Sequence, residues 1–133
     1  SHPLGCATAL ATIKVYEEDN LIARAREMGK VMRERLDDLT DRHPCVGEAR
    51  SIGLFGIVEL VRNRETREPL APFNGTSPEM QALGRFFREQ GLYTFVRWNT
   101  FFTNPPLCIT EDELGEAFAI IDAGLTQTDA ALA

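Results

Sequence analysis

Arg97 lies among aromatic residues and is the clearest candidate for binding chemistry in this sequence. It stands between Phe95 and Trp98, and a largely apolar run follows at residues 101–106. A planar guanidinium can bind a carboxylate through two parallel hydrogen bonds. We therefore predict that Arg97 and Trp98 belong to a pocket for a small organic acid, which residues 101–106 would line. The alternative is an arginine at an edge or in solvent that stacks on Trp98, beside a run that is plain core followed by a turn.

No catalytic or cofactor-binding residue is predicted from the other reactive side chains. Lys14 and Lys30 both fall on the polar side of a helical pattern, where a solvated surface charge is expected. A lysine that reacts as an amine would need an apolar pocket. The sequence also lacks a phosphate loop, a dinucleotide-binding fingerprint and a nucleophile elbow.

The sequence does not indicate a metal site. His2 and His43 are far apart, and no two cysteines have the Cys-x-x-Cys spacing that zinc sites use. Glu59 is a lone charge within an apolar run. Because a buried carboxylate needs a partner, we expect an ion pair between Glu59 and either Arg50 or Arg62.

Composition and charge exclude several classes of protein. The 133 residues suit one domain, and the hydrophobic content of 44% is ordinary for a globular fold. The net charge of −6 and the absence of a basic face argue against nucleic-acid binding. No apolar run approaches the length of a membrane span. Three widely spaced cysteines do not form a disulfide framework, so we expect a reducing compartment, the cytoplasm.

Helical periodicity and capping signals predict four helices. The second helix shows them best, since its apolar residues recur at steps of three and four. Ser77 and Pro78 mark the start of the third helix, and Thr110 with Glu113 forms a capping box before the fourth. The predicted helices cover residues 3–18, 21–43, 78–90 and 111–125, and the tail from Thr126 is expected to fray.

β-branched and aromatic residues predict a small sheet. Residues 46–61 indicate one or two strands, and both faces of residues 54–61 are apolar enough to predict a strand covered on both sides. Residues 92–98 and 101–103 are expected to form a hairpin with its turn at residues 99–100, and residues 62–76 a loop. The fold class is therefore α+β, with a mostly antiparallel sheet packed with helices. Residues 1–44 would be connecting helices and residues 45–133 the sheet-bearing domain, in one compact unit.

Several segments resemble, in order, those of class III pyridoxal-phosphate (PLP)-dependent aminotransferases. Together they cover nearly the whole chain, and the likeness is greatest to the ω-amino acid–pyruvate branch. The segments are Ser-His-Pro-Leu-Gly-Cys-Ala-Thr-Ala-Leu-Ala at residues 1–11, Leu-Ile-Ala-Arg-Ala at 21–25, Gly-Leu-Phe-Gly-Ile-Val-Glu-Leu-Val at 53–61, Gly-Leu at 91–92 and Asn-Pro-Pro-Leu-Cys-Ile-Thr-Glu at 104–111.

The resemblance implies the C-terminal small domain of a fold-type I PLP enzyme. Such an enzyme is a homodimer with its active site at the interface, and it transfers an amino group between an amine or ω-amino acid and a keto acid such as pyruvate. The lysine that binds PLP covalently would precede Ser1, since neither Lys14 nor Lys30 matches its motif. The isolated chain would therefore be inactive and would not bind PLP by itself.

The resemblance also implies a role for Arg97. In several family members an arginine near the closing strand binds the substrate carboxylate, so Arg97 is the candidate, with Trp98 as the neighbour that shapes the pocket. The alternative hypothesis is a stand-alone α+β module that binds a small acid, or that acts in regulation or dimerisation.

Overall fold

The computed structural model describes residues 2–133 and confirms the α+β class. It contains four helices and a five-stranded sheet. The elements are α1 (Pro3–Glu18), α2 (Leu21–Arg42), β1 (Val46–Ile52), β2 (Phe55–Asn63), β3 (Glu68–Pro69), α3 (Pro78–Glu89), β4 (Val96–Arg97), β5 (Thr100–Thr103) and α4 (Glu111–Leu132). Among these helices, none combines the length and the apolar character needed to cross a lipid bilayer.

The sheet is antiparallel and has the strand order β1-β2-β5-β4, with the short β3 paired to β2. In its centre Val58 is paired with Ala49 on one side and Phe101 on the other. These three side chains are buried, and α2, α3 and α4 complete the core on their side of the sheet. The helical residues of this core include Met32, Leu36, Phe87, Phe118 and Leu125.

The outer face of the sheet is open, so the prediction that β2 is covered on both sides is wrong for residues 2–133. Phe55 is 50% exposed and Ile52 is 80% exposed. Across this face the rings of Phe55, Phe102 and Phe95 pack in a row, with centroid separations of 5.7 Å and 5.3 Å. The reason is that α2, α3 and α4 all contribute to the core on the inner face.

The first helix makes no contribution to the core. No residue of α1 is buried, and apolar side chains remain exposed along it. Leu4 and Leu10 are each about 70% exposed. α1 thus presents an apolar surface to solvent in this chain.

The predicted caps are confirmed at two helices. The Ser77 hydroxyl accepts a hydrogen bond from Met80 N (3.3 Å), and Pro78 is the first residue of α3. Thr110 and Glu113 form the reciprocal capping box at α4.

Three features differ from the sequence prediction. The expected loop at residues 62–76 contains the end of β2 and the two-residue strand β3, which pairs with β2 because the chain turns back after Asn63. The segment 92–98 forms a strand only at Val96–Arg97, and the turn is at residues 98–99, one position earlier than predicted. The tail after Thr126 is helical to Leu132 and does not fray. It is held because Thr128 is buried and Asp129 binds residues near the end of α2.

A buried polar junction joins α2, β1 and α4. The His43 ring is 5% exposed and lies between two carboxylates, with Nδ1 2.7 Å from Asp129 and Nε2 2.8 Å from Asp122. The second oxygen of Asp129 accepts a hydrogen bond from Cys45 N (2.9 Å). Arg64 donates to the carbonyl oxygens of His43 (2.6 Å) and Val46 (2.8 Å). The junction therefore satisfies the polar groups where α2 ends and β1 begins.

We expect His43→Ala to lower the free energy of unfolding by about 2 kcal/mol, because the carboxylate of Asp129 loses a buried partner. Chemical denaturation followed by circular dichroism measures this. The control is His2→Ala, which removes an exposed histidine that caps α1. Its effect should stay below about 1 kcal/mol. Equal losses in the two variants would contradict a stabilising junction.

Acid should weaken the junction. Burial raises the pKa of Asp122, but hydrogen bonds from His43 and Arg42 lower it more, so the pKa lies below its ordinary value. The ionised carboxylate thus stabilises the fold above the pKa of the unfolded chain, and this stabilisation is lost as the pH falls through the folded-state pKa. We expect the denaturation midpoint to fall less steeply for Asp122→Asn than for the unaltered chain between about pH 4 and pH 2. Parallel pH profiles would rule this out.

Candidate functional site

The predicted pair Arg97–Trp98 lies at the tip of the β4–β5 hairpin. Arg97 is paired with Thr100, so Trp98 and Asn99 form a two-residue turn. Trp98 has a φ of +55°, in the left-handed region that tight antiparallel turns require and that bulky residues rarely adopt. Asn99 holds this conformation, because its side chain donates to Leu60 O (3.0 Å) and its carbonyl accepts from Leu60 N (2.7 Å). The tip is therefore anchored to β2.

The Trp98 indole is packed between two side chains. The ring of Phe73 lies 4.3 Å from it, centroid to centroid, and Arg97 Cζ lies 4.4 Å from the ring centroid. A guanidinium over an indole face is a favourable cation–π contact. Arg97 is exposed and, within residues 2–133, it is not in a salt bridge. Arg97 therefore stacks on Trp98, which was the alternative to an acid pocket. Its N–H groups remain free to bind an acid.

A cleft of about 400 Å³ borders Trp98 on the side of α3. It is lined by Thr76, Met80, Gln81, Gly84, Arg85, Arg88, Val96 and Trp98. The sequence interpretation missed Arg85 and Arg88, whose three-residue spacing on α3 is the signal that could have found them.

Residues 101–106 do not line the cleft beside Trp98, and neither does Arg97. Phe101 is fully buried and packs edge-on against Phe87, with 5.5 Å between centroids. The Asn-Pro-Pro turn that follows borders a separate apolar cavity of about 240 Å³, between β5 and α4. In β5, Phe101 and Thr103 face the helices, whereas Phe102 belongs to the aromatic row on the outer face.

Glu59 forms the expected ion pair with Arg50, at 2.5 Å across β1 and β2. Arg62, the other candidate, binds Glu79 instead (3.0 Å). The Glu59 side chain is 37% exposed, because it lies on the open face of the sheet. This pair is a surface contact between strands.

Neither lysine of the described residues lies in a setting suited to a Schiff base with PLP. Lys14 and Lys30 are exposed and each is paired with a glutamate, at 3.5 Å and 2.8 Å. A lysine that forms a Schiff base needs a desolvated amine, which neither position provides. In residues 2–133 the structure also has no grouping of three His, Cys, Asp or Glu side chains suited to a metal ion.

Comparison with known proteins places this chain in one protein family. Residues 1–125 match the family model "Aminotransferase class-III". The chain is 34% identical over 134 residues to taurine–pyruvate aminotransferase of Bilophila wadsworthia, covering 94% of this chain and 28% of that protein. It is 33% identical over 132 residues to putrescine–pyruvate aminotransferase of Pseudomonas aeruginosa, covering 98% and 28%.

A solved structure agrees with the sequence comparisons. The taurine:2-oxoglutarate aminotransferase from Bifidobacterium kashiwanohense, in complex with PLP and glutamate, superposes with a TM-score of 0.92 at 36% identity. The match covers 99% of this chain and 30% of that one. The chain therefore spans less than a third of the length of these relatives.

We expect Phe73→Ala to shift the fluorescence emission of Trp98 to longer wavelength, because the indole loses its packed neighbour and becomes more exposed. The free energy of unfolding should fall by about 0.5–1.5 kcal/mol from loss of the aromatic contact, in addition to the loss from the apolar surface that is no longer buried. Phe55→Ala is the control, since it removes another exposed ring, one that stacks on Phe102 instead. A red shift with Phe55→Ala but not with Phe73→Ala would contradict the geometry of the hairpin tip.

Proposed function

Because this chain belongs to the class III aminotransferase family, we propose that it is the C-terminal part of a PLP-dependent transaminase. The reaction would move an amino group between an amine or ω-amino acid and a keto acid such as pyruvate. The observation that carries this is the match of 99% of the chain to an aminotransferase structure at a TM-score of 0.92. Two of the relatives named above use pyruvate, which supports pyruvate as the acceptor.

We propose that the PLP-binding lysine lies outside these 133 residues. The exposed ion pairs of Lys14 and Lys30 support this. In the full-length enzyme PLP would supply the electron sink for amino transfer. Residues 1–44 would connect the small domain, residues 45–133, to the rest of the enzyme. By itself the chain would be inactive.

Arg97 is proposed to bind the acidic group of the substrate. Its exposed guanidinium is not in a salt bridge within the described chain, and Trp98 restricts its orientation at the anchored hairpin tip. A guanidinium fork binds planar or tetrahedral oxyanions well. Two of the relatives are taurine aminotransferases, and taurine carries an acidic group remote from its amine. This supports ω-amino acids as donors.

The exposed apolar surfaces support a larger assembly. Both α1 and the aromatic outer face of the sheet are open in this chain. We propose that the rest of the enzyme and a second subunit of a homodimer pack on them. A stand-alone module is less favoured, because it would leave Leu4, Leu10 and Phe55 in water. The cytoplasmic location stays a prediction from the free cysteines.

In the full-length enzyme, we expect Arg97→Gln to raise KM for an ω-amino acid by about 10- to 100-fold, which is the worth of a hydrogen bond to a charged group. The KM for an amine that carries no acidic group should hardly change. Steady-state assays with both donors measure this, and Arg26→Gln is the control because Arg26 is exposed on α2. Equal losses for both donors would contradict acid binding by Arg97. Absence of amino transfer in the unaltered enzyme would overturn the transaminase proposal itself.

A further inference from the structure

Arg85 and Arg88 differ from most arginines of this chain. Within residues 2–133, seven of the twelve arginines bind acidic side chains or carbonyl groups, as Arg33, Arg50 and Arg64 do. Arg26, Arg35 and Arg97 do not, but they do not line this cleft. Within residues 2–133, Arg85 and Arg88 have no salt bridge and no side-chain hydrogen bond, although the chain has a net charge of −6. An acidic protein has ample carboxylates to pair with them, so two neighbouring unpaired arginines call for an explanation.

Both arginines line the cleft beside Trp98, and none of the lining residues is acidic. They are three positions apart on α3, so they lie on the same face of the helix and repel each other. Arg88 turns back toward Gly84, and its Nη1 lies 3.7 Å from where a Cβ of this glycine would be. A negatively charged group between the two guanidiniums would relieve this repulsion.

The rest of the cleft is suited to an organic ligand. Met80, Gly84 and Val96 give it an apolar part, and Gln81 adds an uncharged polar side chain. The volume of about 400 Å³ falls within the range of ligand pockets. An apolar part together with two cations favours a molecule with an anionic head group and an apolar body.

We propose that the cleft lined by Arg85, Arg88 and Trp98 binds a small organic anion whose head group carries two negative charges. The head group is a phosphate or a pair of carboxylates, which arginine recognises through paired hydrogen bonds. Arg97 does not line this cleft. The two proposed sites adjoin at Trp98 but use different arginines, and this proposal does not rest on the transaminase proposal.

Trp98 makes the site directly observable, because the chain has a single tryptophan. The experiment titrates the 133-residue chain with inorganic phosphate, phenyl phosphate and glutarate at constant ionic strength. It follows the emission of Trp98, and calorimetry registers any binding that leaves the emission unchanged. We expect saturable binding, tighter for phenyl phosphate than for phosphate. Glutarate distinguishes a dicarboxylate site from a phosphate site, and saturation by either class supports the proposal.

Variants assign the binding to these side chains. The double variant Arg85→Gln with Arg88→Gln should weaken binding at least about tenfold, because charge-assisted hydrogen bonds are lost. Arg26→Gln, an exposed arginine on α2, should leave the affinity unchanged. Arg97→Gln should also bind normally, which separates this site from the proposed substrate site.

Three results would overturn the proposal. The first is the absence of saturable binding for all three probes. The second is an equal loss of affinity in Arg26→Gln and in the double variant, which would indicate only general attraction between charges. The third is loss of binding in Arg97→Gln with full binding in the double variant, which would place the anion at Arg97.

Discussion

The buried histidine between two aspartates is the constraint on which the arrangement of this domain depends. Buried polar groups must be paired, and His43, Asp122 and Asp129 can be paired only if α2 and α4 lie side by side. Arg64 donates to carbonyl oxygens at the end of α2 and the start of β1, so it holds these two ends together. With these elements fixed, α2, α3 and α4 bury the inner face of the sheet, and the aromatic outer face is left for other contacts.

The candidate sites follow from this one-sided packing. Because α3 packs on the inner face, its arginines come to lie beside the tip of the β4–β5 hairpin. The tip itself is held by backbone and side-chain bonds between Asn99 and Leu60, and not by the short strand pairing alone. As a result, the Trp98 indole has Arg97 stacked on it and also borders the cleft that Arg85 and Arg88 line.

The sequence was sufficient for the features that depend on neighbouring residues. The periodicity of α2 and the caps Ser77 and Thr110 predicted the helices, and the adjacency of Arg97 and Trp98 predicted their stacking alternative. It failed where distant residues decide the outcome. The tail was expected to fray because nothing local reveals that Asp129 binds His43, 86 positions away. Likewise, Arg85 and Arg88 meet Trp98 only through tertiary packing, and the open outer face depends on which side the helices take.

The contact between Asp129 and His43 also bears on the order of events during biosynthesis. Its two residues are 86 positions apart, and their pairing closes the core between α2 and α4. Contacts of such long range form late, because the intervening chain must first be ordered. A nascent chain can make the β1–β2 hairpin early, but His43 has no carboxylate from α4 until residue 129 has left the ribosome. Until then α4 cannot complete the cover of the inner face, and apolar surface exposed on a nascent chain favours aggregation.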